Sequence, residues 1–478
     1  LLEQGVNPYP YEFNTPQPID SVMPVSEQAG DDPVTLVGRL WARRKMGKAV
    51  FMDLRDHSGK IQLHISRDTV SAQLWEMLPL LDLGDIVGVE GTTFMTKTGQ
   101  LTVSVETLTV LAKSVVPLPL GKEKDDEAFS RVSDPEAKYR ERHLHWMLNE
   151  ADRELIVGRS AIVSAVRRRM ESDGFLEVST PTIEFVYGGA EARPFTTSIW
   201  ALGRKDAYLR ISPELYLKRY IVAGFEKVFT ICQNFRNEGI DASHNPEFTM
   251  MEWYEAHTDY ERQMERFETL VSDVCEEICG STKVIYQGVE LDFTPPWRRL
   301  SVLDAIQEFA GINAGEMSVE QLKEELRRRH IPFQEPLPWG VAVTELFEAT
   351  CEEHLVQPVF VIDHPIEISP LTKTKRGDPR LVERFEPFIF RMEIGNAYSE
   401  LTDPVDQLER LVGQREIQRG TDQDFENHPV DADFVRAVGY GMPPTGGVGL
   451  GVDRLIMLLT DASSIRDVIP FPMVKPKT

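Results

Sequence analysis

The stretch Phe235-Arg236-Asn237-Glu238-Gly239-Ile240-Asp241-Ala242-Ser243-His244-Asn245-Pro246-Glu247-Phe248-Thr249-Met250-Met251-Glu252 reads as strand, long loop and returning strand. Lys227–Gln233 before it is β-rich, and Trp253-Tyr254 follows. Side chains alternate along a strand, so Arg236 and Glu238 share one face of the hairpin. Phe248, Met250, Glu252 and Tyr254 share a face of the return strand. One surface would thus carry a cation, several carboxylates and two aromatic rings. A surface hairpin with solvent-facing charges has the same local pattern, but its loop would ordinarily be shorter.

Length and composition narrow the classes. A chain of 478 residues has room for two or three domains. No apolar run reaches the ~18 residues of a membrane span. Four cysteines (Cys232, Cys275, Cys279, Cys351) are too few for a disulfide framework and fit a reducing, cytoplasmic setting. Cys275 and Cys279 could share a helix face, but no further Cys or His pair completes a zinc set, so both read as buried thiols. The chain opens on Leu1 rather than Met, which leaves room for an extension upstream.

A net charge of −24 speaks against general nucleic-acid binding and against DNA. Yet Val34–Val70 carries eight Lys or Arg and three acids, a net of +5. That region suits an RNA-contacting patch; a sheet edge guarded by cations is the alternative. The runs Thr35–Trp41, Ala49–Leu54, Lys60–Ile65, Ile86–Glu90 and Leu101–Leu111 read as five short strands. A helical piece, Ser71–Leu80, follows the third, as in an OB-type barrel that binds single-stranded nucleic acid. Phe51 and His64 are candidate base platforms, although a lone Phe is more often core.

Pro117–Glu127 has linker composition. A helical region at 135–148 and an amphipathic helix at 154–172 follow, closed by Gly174 and a strand at 175–178. Tyr187–Phe195 is a small-residue loop that lets backbone approach a ligand, and 208–212 reads as a strand. Ser212 as N-cap and Pro213 at the first position start a helix whose Glu214 favours the dipole. The span 260–353 reads as mostly helical and acidic, and Val359–Asp363 as a strand. Glu386, Glu393 and Glu400 recur every seven residues, but Pro387, Gly395 and the surrounding Phe and Ile argue for paired strands. Carboxylates on adjacent strands near phosphates are what magnesium requires. Gly447, Gly449 and Gly451 form a strand face without side chains, against which a flat ring or another strand could lie. Asp453 is placed to cap the next helix. Neither a dinucleotide fingerprint nor a P-loop is completed there.

Together these stretches resemble a class II aminoacyl-tRNA synthetase of the bacterial lysyl type, over nearly the whole chain. Gly174–Pro181, Phe235–Glu252 and Gly447–Arg454 match its three signature regions in order. Arg193-Pro194-Phe195, the Pro213–Lys218 run and the His244–Thr249 run are specific strings of that family. The resemblance implies an α+β chain: an anticodon-binding OB-fold barrel at 1–120, a linker at 121–134, and a catalytic domain at 135–478 with an antiparallel sheet flanked by helices.

The resemblance also implies roles. Arg236 and Arg454 are the catalytic cations, holding the α- and γ-phosphates of ATP, with Glu238, His244, Asn245 and Phe248 completing the nucleotide site. Glu386 and Glu393 would bind Mg2+ with ATP. Glu214 and Glu400 would take the ε-ammonium of L-lysine, and Gly188 and Glu252 its α-amino group. Asn396 would take the carboxylate, with Tyr254 and Tyr398 beside the stem. Arg44, Phe51 and Gln62 match anticodon-reading positions for tRNA(Lys). A homodimer without membrane attachment is expected. The substrate carboxylate is already ionised, so positioning and charge neutralisation would carry adenylate formation. Rival readings are an aspartate- or asparagine-charging enzyme of the same fold, a paralogue that lysylates a protein and lacks the barrel, and a non-catalytic RNA-binding paralogue. Glu214 and Glu400 oppose the first. Thr197–Leu202, Ser243, Phe390-Arg391 and Tyr398 depart from the family pattern.

Overall fold

The computed structural model describes residues 1–22, 33–119, 135–418 and 430–475. The chain divides into two compact units, Leu1–Ser133 and Asp134–Thr478. The linker expected at 121–134 lies outside the described residues.

In the first unit, α1 (Ile19–Val22) precedes β1 (Pro33–Met46), β2 (Ala49–Arg55) and β3 (Lys60–Ser66). After α2 (Ala72–Met77) come β4 (Ile86–Met95) and β5 (Leu101–Ala112), and the five strands close as a barrel in the order β1-β2-β3-β5-β4. Alternate residues Leu36, Leu54, Leu63, Ile65, Val87, Val89, Val103 and Val105 fill its core. Ser71 caps α2 by accepting from the Leu74 N–H. β1 and β4 run past the expected ends at Trp41 and Glu90. Arg43–Met46 are mostly exposed cations without alternation, and backbone pairing with Ala49–Met52 around Gly47 (φ +58°) extends β1.

The second unit opens with α3 (Pro135–Arg140), α4 (Arg142–Leu148) and α5 (Glu150–Ser172). There follow β6 (Leu176–Glu177), the small sheet of β7 (Ile183–Glu184), β8 (Thr196–Ile199) and β9 (Lys205–Leu209), and α6 (Glu214–Val222). The hairpin β10 (Lys227–Phe235) and β11 (Glu247–Ala256) leads to α7 (Tyr260–Cys279). Next come β12 (Lys283–Tyr286), β13 (Val289–Asp292), β14 (Arg298–Ser301), α8 (Val302–Ala305), α9 (Val319–Arg328) and α10 (Trp339–Thr350). The chain continues through β15 (Val359–Ile362), β16 (Arg384–Ile389), β17 (Met392–Glu393), β18 (Gly395–Ser399), α11 (Pro404–Gln418) and α12 (Ala432–Val438). It finishes with β19 (Thr445–Gly451), α13 (Val452–Thr460) and α14 (Ile465–Val468). The main sheet has the order β14-β15-β16-β18-β19-β11-β10-β6, with β17 paired to β16. It is antiparallel except at its edges, where β10–β6 and β14–β15 are parallel. One face buries Phe229, Met251, Trp253 and Val448 against Ile162 of α5, Phe267 of α7 and Leu455 of α13. The opposite face carries the cavity described below. No helix among the described residues is long and apolar enough to cross a membrane.

Several local expectations are corrected. The amphipathic helix starts at Glu150 rather than Glu154, with Glu150 and Asp152 in a first turn that favours acids. Asp173 is its cap residue, Gly174 follows at φ +83°, and the next strand is only Leu176–Glu177. The strand expected at 208–212 ends at Leu209. Helix α6 begins at Glu214 with Pro213 as cap residue, while the Ser212 hydroxyl still accepts from the Glu214 N–H at 3.1 Å. Within 260–353, β12, β13 and β14 interrupt the expected helices; their alternating charges had masked the β pattern. Asp453 does not cap α13, whose cap residue is Gly451. It lies in the first turn, accepts from the Thr249 N–H at 2.7 Å and pairs with Arg159. Cys279 is exposed rather than buried. Phe390 (φ +50°) and Arg391 (φ +65°) form the tight turn between β16 and β17 without glycine. That conformation costs side-chain-bearing residues roughly 1–2 kcal/mol each.

Candidate active site

A cavity of about 400 Å³ opens on the sheet face opposite the helical core. Its floor is set by strand register. β19 lies between β18 and β11, and across it Tyr398, Gly447 and Tyr254 stand in one row and Asn396, Gly449 and Glu252 in the next. Paired residues project to the same side, so the glycines leave a trough walled by their neighbours' side chains. The space is specific. A Cβ on Gly447 would fall 2.0 Å from Glu400 Oε1 and 2.4 Å from Tyr254 Cε1, whereas one on Gly449 would meet nothing closer than 3.7 Å.

At one end of the trough the hairpin of β10 and β11 supplies Arg236, just past β10, whose N–H donates to Pro246 O at 2.9 Å. Its guanidinium carbon lies 5.1 Å from the Phe248 ring centroid, and its buried Nε has no protein partner. Burial lowers this guanidinium from its ordinary value; such a group is receptive to an anion. Across from it, Arg454 Nη2 meets His244 Nε2 at 3.2 Å and Nη1 donates to the Glu393 carbonyl. Asp241 lies 2.9 Å from His244 Nδ1 and accepts the backbone N–H groups of Ser243 and His244. With His244 Nδ1–H donating to Asp241, His244 Nε2 is the acceptor for Arg454. Ser243 thus serves the loop's own turn. Glu238 lines the cavity and accepts weakly from the Arg193 N–H at 3.4 Å. Asn245 also lines it, but its amide is committed: Nδ2 donates to Glu247 O at 2.6 Å, and Oδ1 accepts from Met473 N at 3.3 Å.

Glu386 and Glu393 both line the cavity, on β16 and β17. Burial and the nearby Glu386 charge raise the Glu393 carboxyl. Two neighbouring carboxylates, one of them raised by the other's charge, have the donor chemistry of a divalent-cation site. Among the described residues no third Asp, Glu, His or Cys completes a cage, so a cation here would draw its remaining ligands from phosphate and water. Arg384, absent from the sequence reading, organises this wall. It donates to Glu386, to Asn396 Oδ1 at 3.0 Å, and to Ile368 O and Ser369 Oγ. Its signal was the Arg-x-Glu alternation at 384–386, which puts both side chains on one strand face.

The other end is acidic. Glu252 Oε1 accepts from the Ser212 hydroxyl at 2.8 Å and Oε2 from the Tyr254 hydroxyl at 3.2 Å. Burial, then the neighbouring Glu214 charge, pushes the Glu252 carboxyl up to about 8. Gly188 and Glu214 line the same end. Asn396 donates to the Tyr398 hydroxyl at 2.9 Å. Glu400 does not itself line the cavity: it is fully buried, and its Oε1 fills the space that a Cβ on Gly447 would take. There Lys218, also missed in the sequence, lies 2.7 Å from Glu214 Oε1 and 2.5 Å from Glu400 Oε2. The Glu-x-x-x-Lys spacing at 214–218 was legible as a helix pair, but not as an internal one.

The barrel carries a separate face. Phe51 of β2 and His64 of β3 are paired across the ladder with ring centroids 5.0 Å apart. Phe94 of β4 joins them, 5.7 Å from His64; it lay beyond the expected end of its strand. Burial lowers the His64 imidazole, which keeps it a neutral aromatic surface. Arg44 lies opposite Phe51 and 3.7 Å from the buried Asp53, which Lys60 also meets at 2.9 Å. Gln62 is buried and accepts from the Thr102 hydroxyl at 3.1 Å.

Comparison with known proteins agrees with both units. Residues 134–475 match the class II tRNA synthetases (D, K and N), and 34–111 match the OB-fold nucleic acid binding domain. The chain belongs to the class II aminoacyl-tRNA synthetases. A lysine–tRNA ligase of Pelotomaculum thermopropionicum is 44% identical over the whole chain and 93% of its own length. One from Clostridium novyi is 46% identical, with 92% of its length covered, and one from a Thermoanaerobacter species 43%, with 94% covered.

Proposed function

We propose that this chain activates L-lysine with ATP to lysyl-adenylate and transfers it to the 3′ end of tRNA(Lys). The observation that carries the choice of amino acid is the acidic end of the trough, lined by Glu214 and Glu252 with Glu400 buried beside them, which suits a dicationic ligand. An aspartate side chain would meet carboxylates there, and a neutral one would leave buried charge unpaired. The full-length likeness to lysine–tRNA ligases supports the same choice.

Arg236 holds the α-phosphate and Arg454 the γ-phosphate, with Phe248 against adenine. The lysine carboxylate attacks the α-phosphorus and pyrophosphate leaves, so the chain's task is to orient the two and neutralise charge. His244 orients Arg454, and Glu238 completes the nucleotide contacts. Asn245 shapes the loop, since its amide is already bonded. Glu386 and Glu393 would hold Mg2+, which when bound draws the phosphate charge together. Asn396 and Arg384 face the substrate carboxylate, Gly188 its α-amino group, and Tyr254 and Tyr398 flank the stem. Arg44, Phe51 and Gln62 read the anticodon, Gln62 through whatever its buried amide leaves exposed. The protein works in the cytoplasm as a homodimer joined through Gly174–Pro181, where Leu176 is exposed on an edge strand. Charging of tRNA(Lys) with labelled lysine, lost in Arg236→Ala, tests the proposal; equal charging with aspartate overturns it.

A further inference from the structure

The fully buried ammonium of Lys218 belongs to none of the substrate contacts assigned above. It projects from α6 between Glu214, on its own helix, and Glu400, which follows β18. The Phe434 ring of α12 lies 5.8 Å from Nζ. The other titratable or charged groups around the cluster are Glu252 and Tyr254 on β11, Tyr398 on β18 and Arg384 on β16. Burial by itself lowers the Lys218 ammonium; the two carboxylates outweigh it and raise the group above its ordinary value. Neither Glu400 oxygen is aligned for a hydrogen bond, and Oε1 lies against the Gly447 backbone that floors the trough. A buried cation so placed holds two carboxylates of the pocket while occupying none of its open volume.

We infer that Lys218 is a positioning residue that sets the charge of the fully ionised, ligand-bound amino-acid pocket at two negative charges, matching the two ammonium groups of the substrate. Three carboxylates, Glu214, Glu252 and Glu400, share this end with one internal cation, which pairs with Glu214 and Glu400. The α- and ε-ammonium groups of lysine then bring the cluster to neutrality, while the substrate carboxylate is met separately at the Arg384 and Asn396 wall. Without Lys218 the same ligand would leave one buried carboxylate unpaired, and that carboxylate would hold a proton in the complex. The inference rests on lysine being the substrate.

The test is pyrophosphate exchange with the full chain, with KM for lysine and for ATP measured from pH 6 to 9. In Lys218→Met the lysine KM at pH 7.5 should rise about tenfold or more, as breaking a buried pair demands, and the ATP KM should stay within about twofold. The kcat/KM profile for lysine should shift to lower pH, because a proton replaces the missing cation. Lys218→Met/Glu214→Gln removes one charge of each sign and should return the profile to the wild-type position. It also carries the test if the single variant does not fold. An unshifted profile in Lys218→Met, an equal rise in both KM values, or an acid-shifted double variant overturns the assignment of Lys218. Absence of lysine-dependent exchange in the wild type overturns the substrate assignment instead.

Discussion

Lysine binding should release protons, and the amount follows from the acidic end of the trough. Burial and Glu214 hold the Glu252 carboxyl at about 8, so at pH 7 the empty pocket keeps most of a proton on it. Glu400, also lifted to about 8 by burial, adds to the store, shared with Glu214 through Lys218. A substrate ammonium placed against these groups favours their ionised form and drives the protons out. The complex therefore binds fewer protons than the empty protein, and lysine affinity should rise with pH below 8, by about tenfold per pH unit for each proton released. The lysine side chain stays charged throughout, with an ordinary value near 10.4. Calorimetric titration at pH 7 in buffers of different ionisation enthalpy counts the protons: the slope should correspond to about one to two released per lysine. A slope of zero, with affinity flat from pH 6 to 8, would refute the reasoning, because the carboxylates would then be ionised before the ligand arrives.

Other outcomes follow from single contacts. Raised in the folded state, the Glu252 carboxyl contributes stability that is fully present below its ordinary value near 4.5 and is lost as pH rises through about 8. The melting temperature of the empty protein should therefore fall between pH 5 and 9, and less so with lysine bound. Gly447→Ala forces a methyl onto Glu400 and Tyr254, costing about 1–3 kcal/mol of stability by overpacking. Gly449→Ala has room and should leave thermal melting unchanged while raising KM by filling ligand space; identical melting curves for the two variants would contradict the trough geometry. Phe51→Ala should weaken tRNA charging by about 1–3 kcal/mol of lost stacking and leave pyrophosphate exchange intact; an equal fall in exchange would make Phe51 a core residue.

The sequence showed those features of the site that lie in short periodic patterns. Gly447, Gly449 and Gly451 step by two and so had to share a face, and the Gly239–Pro246 loop was too long for an ordinary turn. The five-strand barrel was legible because its apolar residues alternate cleanly. What was hidden depends on partners far apart in the chain. Arg159 and Thr249 draw Asp453 away from the cap it was expected to make. Lys218 stood only within the Pro213–Lys218 run, and the return of β18 is what brings Glu400 to it. Phe94 was lost because β4 continues through polar threonines, where backbone pairing with β5, rather than hydrophobic alternation, sustains the strand.

If the trough binds ATP beside lysine for adenylate formation, pyrophosphate should exchange into ATP only when the right amino acid is present. With wild-type protein, lysine should support exchange while aspartate and asparagine do not, and Arg236→Ala or Arg454→Ala should abolish it. Exchange driven equally by aspartate, or by no amino acid at all, would contradict the account.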